Sequence, residues 1–539
     1  MFRTSTLIAV IAICLAVIAN VNAAPPACAS SIGGSQFTLQ PDYCAWYYIQ
    51  GLSTPRQVYV ASNNDVLVAE AGKISVLFDL DNNGVINATS EKATLATQSG
   101  LNHAVTVNGG YIYASSSTTV YRWPYTAGNR TNLGTGEVVI TGIPGPGHKT
   151  RTLEFDASGA LFVSVGSGAN LDPDSSRARV VKCDLNLSAI PSNGYSYTLC
   201  TVWADGTRNE VGLRHDPSGR LWGVENGMDD LSRPDLDTDA HINNPCEEVN
   251  IFANAGFYGY PYCFSEGFLS NSTQGAMSQW GVKAANDTWC KNTANVIKPV
   301  YCMQSHTAPL DLNFWSSTTF QPPYNKGLFV AQHGSWNRQP PSGYQVVHIK
   351  LDDSGNPING SLTKFIGGNT GSSSVGGSWG FRPVGLAKLG ACGEGVSECL
   401  LVSSDADNSI IAIRYSPGGG STTITPSTTS STSSTSSTSS TSSTSSTSTT
   451  GKPTTSSTST STTGQPTTTS TTTAQPTTTT TTTTAQPTTT TSAQPTTTTA
   501  QPTTTTTLST TTGKPSSATM IIPTIFSVIL AVIVAVMLI

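Results

Sequence analysis

The chain has 539 residues, of which only 11% are charged, against roughly a quarter in an ordinary soluble protein. Residues 24–416 hold 24 of its 27 basic residues and all 32 acidic ones, which gives this part a net charge of −8. This acidic balance argues against a nucleic-acid binder, which needs a basic face, and against attachment to anionic lipid through a polybasic patch.

The first 23 residues predict a cleaved secretion signal. Arg3 precedes an apolar run over residues 7–18, and Val21-Asn22-Ala23 forms a small-residue cleavage site. The run is too short to span a bilayer, so a retained anchor is the weaker alternative. The sequence therefore predicts a secreted chain.

Residues 24–416 form a body in which one pattern recurs six times: a polar lead-in, an apolar strand, a Gly/Asn/Asp turn and a second apolar strand. The copies begin at Thr54, Leu101, Thr150, Thr207, Ala308 and Phe381. Six copies at a mean pitch of about 60 residues predict an all-β, six-bladed β-propeller, with the largest insertion over residues 230–307. A stacked β-helix is the alternative, but it needs shorter and more uniform repeats.

The lead-ins carry the candidate ligand-binding residues. These are Arg56, His103, His148, Arg151, Arg208 with Asn209, and Arg382. In a propeller the starts of the inner strands gather around the central channel, so we expect these side chains to meet at one mouth. Arginines and histidines there predict an anion site. The alternative is that each arginine pairs with an acid and stabilises the fold.

Two acidic segments are candidate calcium-binding loops. Asp79, Asp81 and Asn83 occupy positions 1, 3 and 5 of an EF-hand-like loop, but Ser90 stands where a bidentate Glu is expected. The alternative for this segment is an Asn-Gly hairpin turn. A second acidic run predicts a solvated insertion loop, with calcium binding as its minor alternative; it comprises Asp229, Asp230, Asp235, Asp237 and Asp239.

Ten of the eleven cysteines follow the secretion signal, and an even number in a secreted chain predicts up to five disulfides. Pairing of neighbours is the simplest expectation, because each bridge then closes a local loop. The expected pairs are Cys28–Cys44, Cys183–Cys200, Cys246–Cys263, Cys290–Cys302 and Cys392–Cys399. Six Asn-X-Ser/Thr acceptors predict an extracellular glycoprotein: Asn87, Asn129, Asn186, Asn271, Asn286 and Asn359.

Residues 417–519 are almost entirely Ser, Thr, Pro, Gln and Gly, which predicts a disordered, O-glycosylated stalk. Residues 520–539 are apolar and follow a small-residue stretch over 509–519, an order typical of a GPI-attachment signal. A retained single membrane span of 20 residues is the alternative. Both interpretations place the body at the extracellular face of the plasma membrane or in the cell wall.

The body resembles the secreted quinoprotein sugar dehydrogenases, which use pyrroloquinoline quinone (PQQ) on a six-bladed propeller. Within that family, which includes glucose dehydrogenases, it is most similar to the sorbosone and pyranose dehydrogenase branch. The resembling segments span roughly residues 56–415, and HGSWNR followed by PPSGY, over residues 333–344, is the most specific of them. Met228 and Glu210 stand where the family usually carries proline.

The resemblance implies roles for two catalytic residues. His148, in GHKTRTL, matches the general base that removes the sugar hydroxyl proton, while hydride passes from the anomeric carbon to a quinone carbonyl. Arg208 and Asn209, in TRNEVGL, match the pair that holds the quinone, and Arg208 also stabilises the negative charge that develops on it.

The resemblance also implies residues that hold the cofactors. Arg382 matches an arginine that clamps a PQQ carboxylate, and Arg56, His333 and Arg338 match further channel contacts. The turn over residues 227–228, Gly227 and Met228, matches the one whose backbone carbonyls bind the catalytic Ca²⁺.

Two functions follow from these patterns. The first is a cell-surface, PQQ- and Ca²⁺-dependent oxidoreductase that oxidises an aldose, pyranose or sorbosone-type sugar and passes electrons to an unidentified extracellular acceptor. The second is an extracellular binding propeller without cofactor or catalysis.

Overall fold

The structure is a computed structural model. It describes residues 25–145, 147–269, 273–282, 285–369 and 377–418. The predicted secretion signal, Asn271, the stalk beyond residue 418 and the apolar tail lie outside the described residues. The chain divides into two compact units, Met1–Thr432 and Ser433–Ile539, and every described residue belongs to the first. Within the described ranges, no helix is long and apolar enough to cross a membrane.

Six sheets form the blades of a propeller, and two strands precede the first of them. The leading strands are β1 (Phe37–Leu39) and β2 (Tyr43–Ile49). Blade one comprises β3 (Val58–Val60), β4 (Val66–Glu70), β5 (Lys73–Leu77) and β6 (Lys92–Thr97). Blade two comprises β7 (Val105–Asn108), β8 (Tyr111–Ser115), β9 (Thr119–Pro124) and β10 (Glu137–Thr141). Blade three comprises β11 (Leu153–Phe155), β12 (Leu161–Val165), β13 (Arg179–Cys183) and β15 (Thr201–Asp205), and the short β14 (Tyr195–Ser196) pairs with β10 of blade two.

The second half of the chain supplies the other three blades. Blade four comprises β16 (Glu210–His215), β17 (Leu221–Glu225), β18 (Glu247–Ile251) and β22 (Tyr301–Met303). Blade five comprises β23 (Pro309–Ser316), β24 (Lys326–Gln332), β25 (Gln345–Ile349) and β26 (Thr363–Gly368), with β1 at its outer edge. Blade six comprises β27 (Pro383–Leu389), β28 (Cys399–Ser404), β29 (Ser409–Tyr415) and, from the start of the body, β2.

The prediction of an all-β, six-bladed propeller is confirmed. Each of the six sequence copies supplies the first two strands of one blade. A turn of two to five residues joins these strands in blades one to four, and a loop of nine residues joins them in blades five and six. The second strands of the blades are apolar runs, such as LFVSV in β12 and CLLVSS in β28, and both are buried along their whole length. Because the neighbouring blades cover both faces of such a strand, its apolar residues need not alternate with polar ones.

The core of the ring consists of six apolar clusters, each shared by two adjacent blades. One of these clusters joins blade six to blade one. In it, Trp46 of β2 and Leu401 of β28 pack with Val66 and Val68 of β4. This contact closes the ring. It forms because β2, from the beginning of the body, pairs antiparallel with β29 at its end.

Residues 230–307 are only in part the insertion that the sequence predicted. They supply β18 and β22, which are the two outer strands of blade four. The remainder holds β19 (Gly256–Phe257), β20 (Cys263–Ser265), β21 (Met277–Gln279), and the short helices α1 (Ala240–Asn243) and α2 (Asp287–Lys291). A single turn of 3₁₀ helix, Tyr197–Leu199, lies in blade three.

Three disulfides form as predicted, Cys28–Cys44, Cys183–Cys200 and Cys392–Cys399. The predicted pairs Cys246–Cys263 and Cys290–Cys302 are wrong: the bridges are Cys246–Cys302 and Cys263–Cys290. The cause is the pairing of β18 with β22, which sets Glu248 opposite Cys302 and so brings Cys246 beside it. Four predicted glycosylation acceptors are exposed and Asn129 is half-buried; the exposed ones are Asn87, Asn186, Asn286 and Asn359.

Replacing Cys246 and Cys302 together with alanine is expected to lower the free energy of unfolding by about 4 kcal/mol, because this bridge closes a long loop. The separation of the two cysteines is 56 residues, against 7 for Cys392 and Cys399. Removal of the short bridge should cost only about 2 kcal/mol and serves as the control. Denaturant unfolding measures both, and a non-reducing peptide map that links Cys246 to Cys263 would contradict the pairing.

Candidate active site

The candidate site residues lie at one end of the ring of blades. In each blade the first two strands are antiparallel. The lead-in before the first strand and the segment after the second strand therefore lie at the same end of the blade. The lead-ins contribute Arg56, His103, His148, Arg208 with Asn209, and Arg382. The segments that follow the second strands contribute Ser167, Asp229, His333 to Asn337, and Asp405.

His148 has a defined orientation. Its Nδ1 lies 3.0 Å from both the carbonyl oxygen and the hydroxyl of Ser167, and that hydroxyl donates to the carbonyl oxygen of Ala169 at 2.7 Å. Nδ1 is therefore the protonated nitrogen, and Nε2 carries the free lone pair. Burial, with a smaller contribution from the charge of Arg208, lowers the pKa of His148 to about 4. The imidazole is thus neutral at ordinary pH.

Arg151 hydrogen-bonds to the backbone of the loop that carries His148 and does not line the mouth. It is completely buried, and its guanidinium donates to the carbonyl oxygens of His148 and Thr150 at 2.7 and 2.6 Å, and to that of Pro144 at 2.7 Å. The sequence placed this arginine among the channel residues. It is instead part of the framework that positions the base.

Arg208 is held by an acid and an asparagine. Its Nη2 lies 3.2 Å from Asp229 Oδ2 and 3.1 Å from Asn170 Oδ1, and Nη1 donates to the carbonyl oxygen of Asn226 at 3.1 Å. Asp229 also accepts from Asn337 Nδ2 at 3.0 Å and lies 3.5 Å from His306 Nδ1. Asp229 is therefore not in a solvated loop, as the acidic run predicted, but forms part of the site.

The residues His148, Ser167, Arg208, Asp229 and His306 are called here the His148 cluster. With the exception of Ser167 they line a cavity of about 160 Å³. The cavity is also lined by Asn209, Asn226, Gly227, Glu247, Ala308, Ser335, Trp336 and Asn337. Burial would lower the pKa of His306, but hydrogen bonds to Asp229 and to the carbonyl oxygen of His241 outweigh it and raise that pKa.

Asn209 faces the same space as His148. The side-chain oxygen of Asn209 is buried and has no hydrogen-bond partner among the described residues. Gly166 makes the arrangement possible, because a Cβ at that position would lie 2.5 Å from this oxygen and 2.6 Å from His148 Cβ.

Glu247 is a cavity residue that the sequence did not predict. Its carboxylate accepts from the backbone N–H of Gly227 at 2.8 Å and of Ala308 at 3.3 Å. Burial raises the pKa of Glu247 to about 7. The one sequence signal for Glu247 was the pair of adjacent acids in CEEVN, within a segment that otherwise has the pattern of a buried strand.

A second group, the Asp405 cluster, comprises Asp405, Arg56, His103, His333 and Arg382. Arg56 Nη1 and His333 Nε2 lie 2.6 and 2.8 Å from the Asp405 carboxylate, and Arg56 Nε donates to His103 Nδ1 at 3.3 Å. Burial would raise the pKa of Asp405, but His333 and Arg56 hold it well below its usual range. Burial lowers the pKa of both histidines, so both are expected to be neutral.

The arginines differ in their partners. Arg56 and Arg208 pair with Asp405 and Asp229, which is the alternative that the sequence left open. Arg382 has no carboxylate partner among the described residues: it donates to the carbonyl oxygens of His333 and Gly334 and lies over the ring of Tyr344. Its charge is therefore available for an anion.

Arg338 is not a contact of the cavity. It is 6% exposed, and it donates to the carbonyl oxygens of Ile242 and Pro340 and to Asn243 Oδ1. The prediction of a channel-facing arginine is wrong at this position. Its bonds to Ile242 and Asn243 hold the HGSWNR loop against another segment of the chain. This loop contains both His333 of the Asp405 cluster and Asn337, which donates to Asp229.

The turn at Gly227 and Met228 presents two free carbonyl groups. Neither carbonyl oxygen accepts a hydrogen bond from any described residue, whereas those of Asn226 and Asp229 on either side do. The Met228 side chain is buried in an apolar cluster with Tyr260 and Phe264, which anchors the turn. Two such oxygens suit a hard cation such as Ca²⁺.

The loop at Asp79 differs from the predicted ligand set. Carboxylate oxygens of Asp79, Asp81 and Glu91 lie within 4.8 Å of one another, so Glu91 and not Ser90 completes the group. The Asn83 side chain instead donates to Asp81 and accepts from the backbone of Val85. Each Glu91 oxygen already accepts a backbone N–H. Calcium binding at this loop stays a prediction.

The fold and the site together define a six-bladed propeller with a mouth that bears arginines and a neutral imidazole. The chain belongs to the TrAA12-like family, whose model matches residues 37–416. This confirms the resemblance inferred from the sequence.

Two characterised relatives are similar to this chain. A pyrroloquinoline quinone-dependent pyranose dehydrogenase of Coprinopsis cinerea is 32% identical over 409 residues, which cover 68% of this chain and 53% of the relative. A pyrroloquinoline quinone-dependent sugar dehydrogenase of Hypocrea jecorina is 32% identical over 310 residues, covering 53% of this chain and 70% of the relative. The chain thus spans about half the length of the first relative.

Solved structures show the same fold. The holo PQQ domain of the Coprinopsis cinerea pyranose dehydrogenase superposes with a TM-score of 0.60 and 26% identity, covering 72% of this chain and 99% of the domain. A calcium structure of a Trichoderma reesei family AA12 carbohydrate-active enzyme gives a TM-score of 0.61 and 25% identity, with coverage of 74% and 99%.

Proposed function

We propose that this protein is a PQQ- and Ca²⁺-dependent dehydrogenase that oxidises an aldose, pyranose or sorbosone-type sugar. The observation that carries the proposal is the orientation of His148, whose neutral imidazole turns an unprotonated Nε2 away from Ser167, in a cavity that also contains Arg208. The names of the TrAA12-like relatives support the choice of cofactor and of substrate class.

The residues of the mouth fit PQQ, which is a planar molecule with three carboxylates. Arg382 offers a guanidinium that no described carboxylate neutralises, and arginine binds carboxylates through two parallel hydrogen bonds. Arg56 and Arg208 also lie at this mouth, each paired with a carboxylate. The cavity of about 160 Å³ is smaller than the roughly 300 to 1,000 Å³ usual for ligand sites, so the quinone must also occupy the open mouth outside it.

The free carbonyl oxygens of Gly227 and Met228 fit the calcium ion. Calcium usually takes about six to eight oxygen ligands, so these two carbonyl oxygens would fill only part of its coordination shell. Glu247 fixes the turn through the N–H of Gly227 and adds a carboxylate beside it.

The roles of the protein groups follow from these contacts. When bound, PQQ supplies the electrophilic carbonyl that accepts the hydride, and Ca²⁺ polarises it. His148 Nε2 accepts the proton of the sugar hydroxyl, while the Ser167 carbonyl holds the ring in the productive tautomer. Asp229 holds the Arg208 guanidinium, whose charge favours the developing anion.

The experiment that tests the proposal is a titration of PQQ into the purified body at saturating Ca²⁺, followed by assay with pyranoses and an artificial electron acceptor. Saturable binding, loss of binding with a chelator and sugar oxidation are expected. Protein that binds no PQQ would contradict the proposal and favour the cofactor-free binding propeller.

In the PQQ-free protein, His148 is expected to become protonated near pH 4, well below the value of about 6.5 for an ordinary histidine. Its neutral, Nδ1-protonated form should persist at pH 6. His148 alone then lowers the free energy of unfolding as the pH falls from about 6.5 to about 4, because the unfolded chain binds the proton first. Long-range ¹H–¹⁵N NMR measures both the pKa and the tautomer, and an imidazolium at pH 6 would contradict the structure.

We further propose that the body is secreted and held at the cell surface through a GPI anchor. The sequence of residues 1–23 and 509–539 and the five disulfides support this location. Phosphatidylinositol-specific phospholipase should release the body from intact cells. Retention after a digestion that releases a known GPI-anchored protein, with residues 520–539 present in the mature chain, would establish a single span instead.

A further inference from the structure

Trp336 is an exposed indole at the rim of the cavity. It is 77% exposed, the highest value for any large hydrophobic side chain in the described part of the chain. It nevertheless lines the same cavity as His148 and Arg208. A tryptophan that contributes so little to the core is informative, because large aromatic side chains are normally buried for most of their surface.

The backbone on both sides of Trp336 is fixed. Before it, Ser335 donates its N–H to the carbonyl oxygen of Ser342 at 2.9 Å and accepts the Tyr344 hydroxyl at 2.6 Å. After it, the Asn337 side chain donates to Asp229 at 3.0 Å. Within the described ranges, the Trp336 ring has no aromatic partner and its Nε1 donates no hydrogen bond. The loop therefore holds the backbone of Trp336 in place and leaves its aromatic face open.

The surroundings of this face combine one apolar surface with a polar rim. The Nε2 lone pair of His148 and the polar side chains of Arg208, Asp229 and Asn337 line the cavity beside the indole. A sugar ring has the complementary chemistry, because its axial C–H bonds form an apolar face and its hydroxyls form a polar edge. An open-chain aldehyde has the hydroxyls but lacks the flat C–H face.

We propose that Trp336 is a stacking platform for the sugar ring and makes the site selective for cyclic sugars over open-chain ones. The inference rests on the proposed function and deepens it. Trp336 binds the ring by its apolar face and so holds the anomeric hydroxyl toward His148. It takes no part in proton or hydride transfer, so its contribution is to substrate affinity.

The test compares Trp336→Ala and Trp336→Phe with Phe268→Ala, which removes an aromatic ring that is 45% exposed and lies outside the cavity lining. With PQQ and Ca²⁺ bound, Trp336→Ala is expected to raise KM for pyranoses about tenfold. It should leave nearly unchanged kcat, PQQ affinity and KM for an open-chain hydroxyaldehyde, which reacts as its hydrate and so carries the hydroxyl that His148 deprotonates. Trp336→Phe should restore most of the affinity, and Phe268→Ala should behave as wild type.

A binding measurement separates this role from turnover. A 1-deoxypyranose, which lacks the anomeric hydroxyl, should change the tryptophan fluorescence of the holoprotein, and the change should disappear in Trp336→Phe. If wild type oxidises sugars but Trp336→Ala keeps its KM, the platform is wrong and the proposed function stands. A defect confined to KM for the electron acceptor would overturn the platform and identify a docking point for that acceptor. Wild type that binds no PQQ would refute the proposed function itself.

Discussion

Replacing His148 with alanine is expected to lower the turnover of the PQQ-loaded protein by about 10² to 10⁴, the usual contribution of a general base. Folding and PQQ affinity should stay nearly unchanged. The substitution removes the side-chain bonds to Ser167, but it keeps the backbone carbonyl that accepts from Arg151. Steady-state kinetics, PQQ titration and a thermal melt of the same preparations measure the three quantities.

His348 offers a matched control for this substitution. It is another buried histidine, and burial lowers its pKa to about 4 as well, but it bonds to the carbonyl oxygen of Lys326 in blade five. His348→Ala should destabilise the fold without a specific loss of turnover. If His148→Ala turned over normally, the base would have to be another group in the cavity, and Glu247, with a pKa of about 7, would be the first to examine.

Replacing Arg382 with alanine is expected to weaken PQQ binding by about 2 to 5 kcal/mol, the cost of losing a charge-assisted contact to a buried carboxylate. Lysine should restore the affinity only in part, because it keeps the charge but lacks the planar fork. The melting temperature without cofactor should change little, since no carboxylate among the described residues pairs with Arg382. Isothermal titration and a melt of each PQQ-free protein give both values.

Arg208→Ala should differ from Arg382→Ala in its effect on the stability of the PQQ-free protein. Arg208 is buried and pairs with Asp229, so its removal leaves that carboxylate without its cation and should destabilise the PQQ-free protein as well. The sequence alone predicts an unchanged melting temperature for Arg208→Ala, because it places this arginine in a channel facing water. The ion pair with Asp229 changes that expectation. If Arg382→Ala bound PQQ normally and melted early, Arg382 would be a structural residue and the anion site would lie elsewhere.

The number of blades could be predicted because each blade repeats its own signal. A strand, a turn or short loop and a second strand recur at Thr54 and at five later positions, and local sequence encodes such hairpins. The outer strands could not be assigned in the same way. Residues 252–300, whose described part holds only three short strands and one short helix, separate β18 from β22. The Cys246–Cys302 bridge depends on the pairing of these two strands.

The candidate site residues could likewise be predicted only where the local repeat carries them. His148, Arg208 and Arg382 directly precede inner strands, so the repeat itself placed them at the mouth. Ser167 and Asp229 follow second strands, and their orientation depends on loop conformation that no local pattern reports. Arg338 shows the limit of a motif: HGSWNR located the right loop, but only the contacts of each side chain show that Arg338 is internal and Trp336 is open.

The pairing of β2 with β29 has a consequence for synthesis of the chain on the ribosome. Blade six needs residues from both ends of the body, and Arg414 even donates to the carbonyl oxygen of Pro26 at 2.8 Å. Until the segment around residues 409–415 has emerged, the nascent chain cannot close the ring, because β2 has no strand to pair with and its apolar residues lack part of their packing. A chain released one strand early therefore loses the closure of the whole ring, and exposed surface of this kind promotes aggregation.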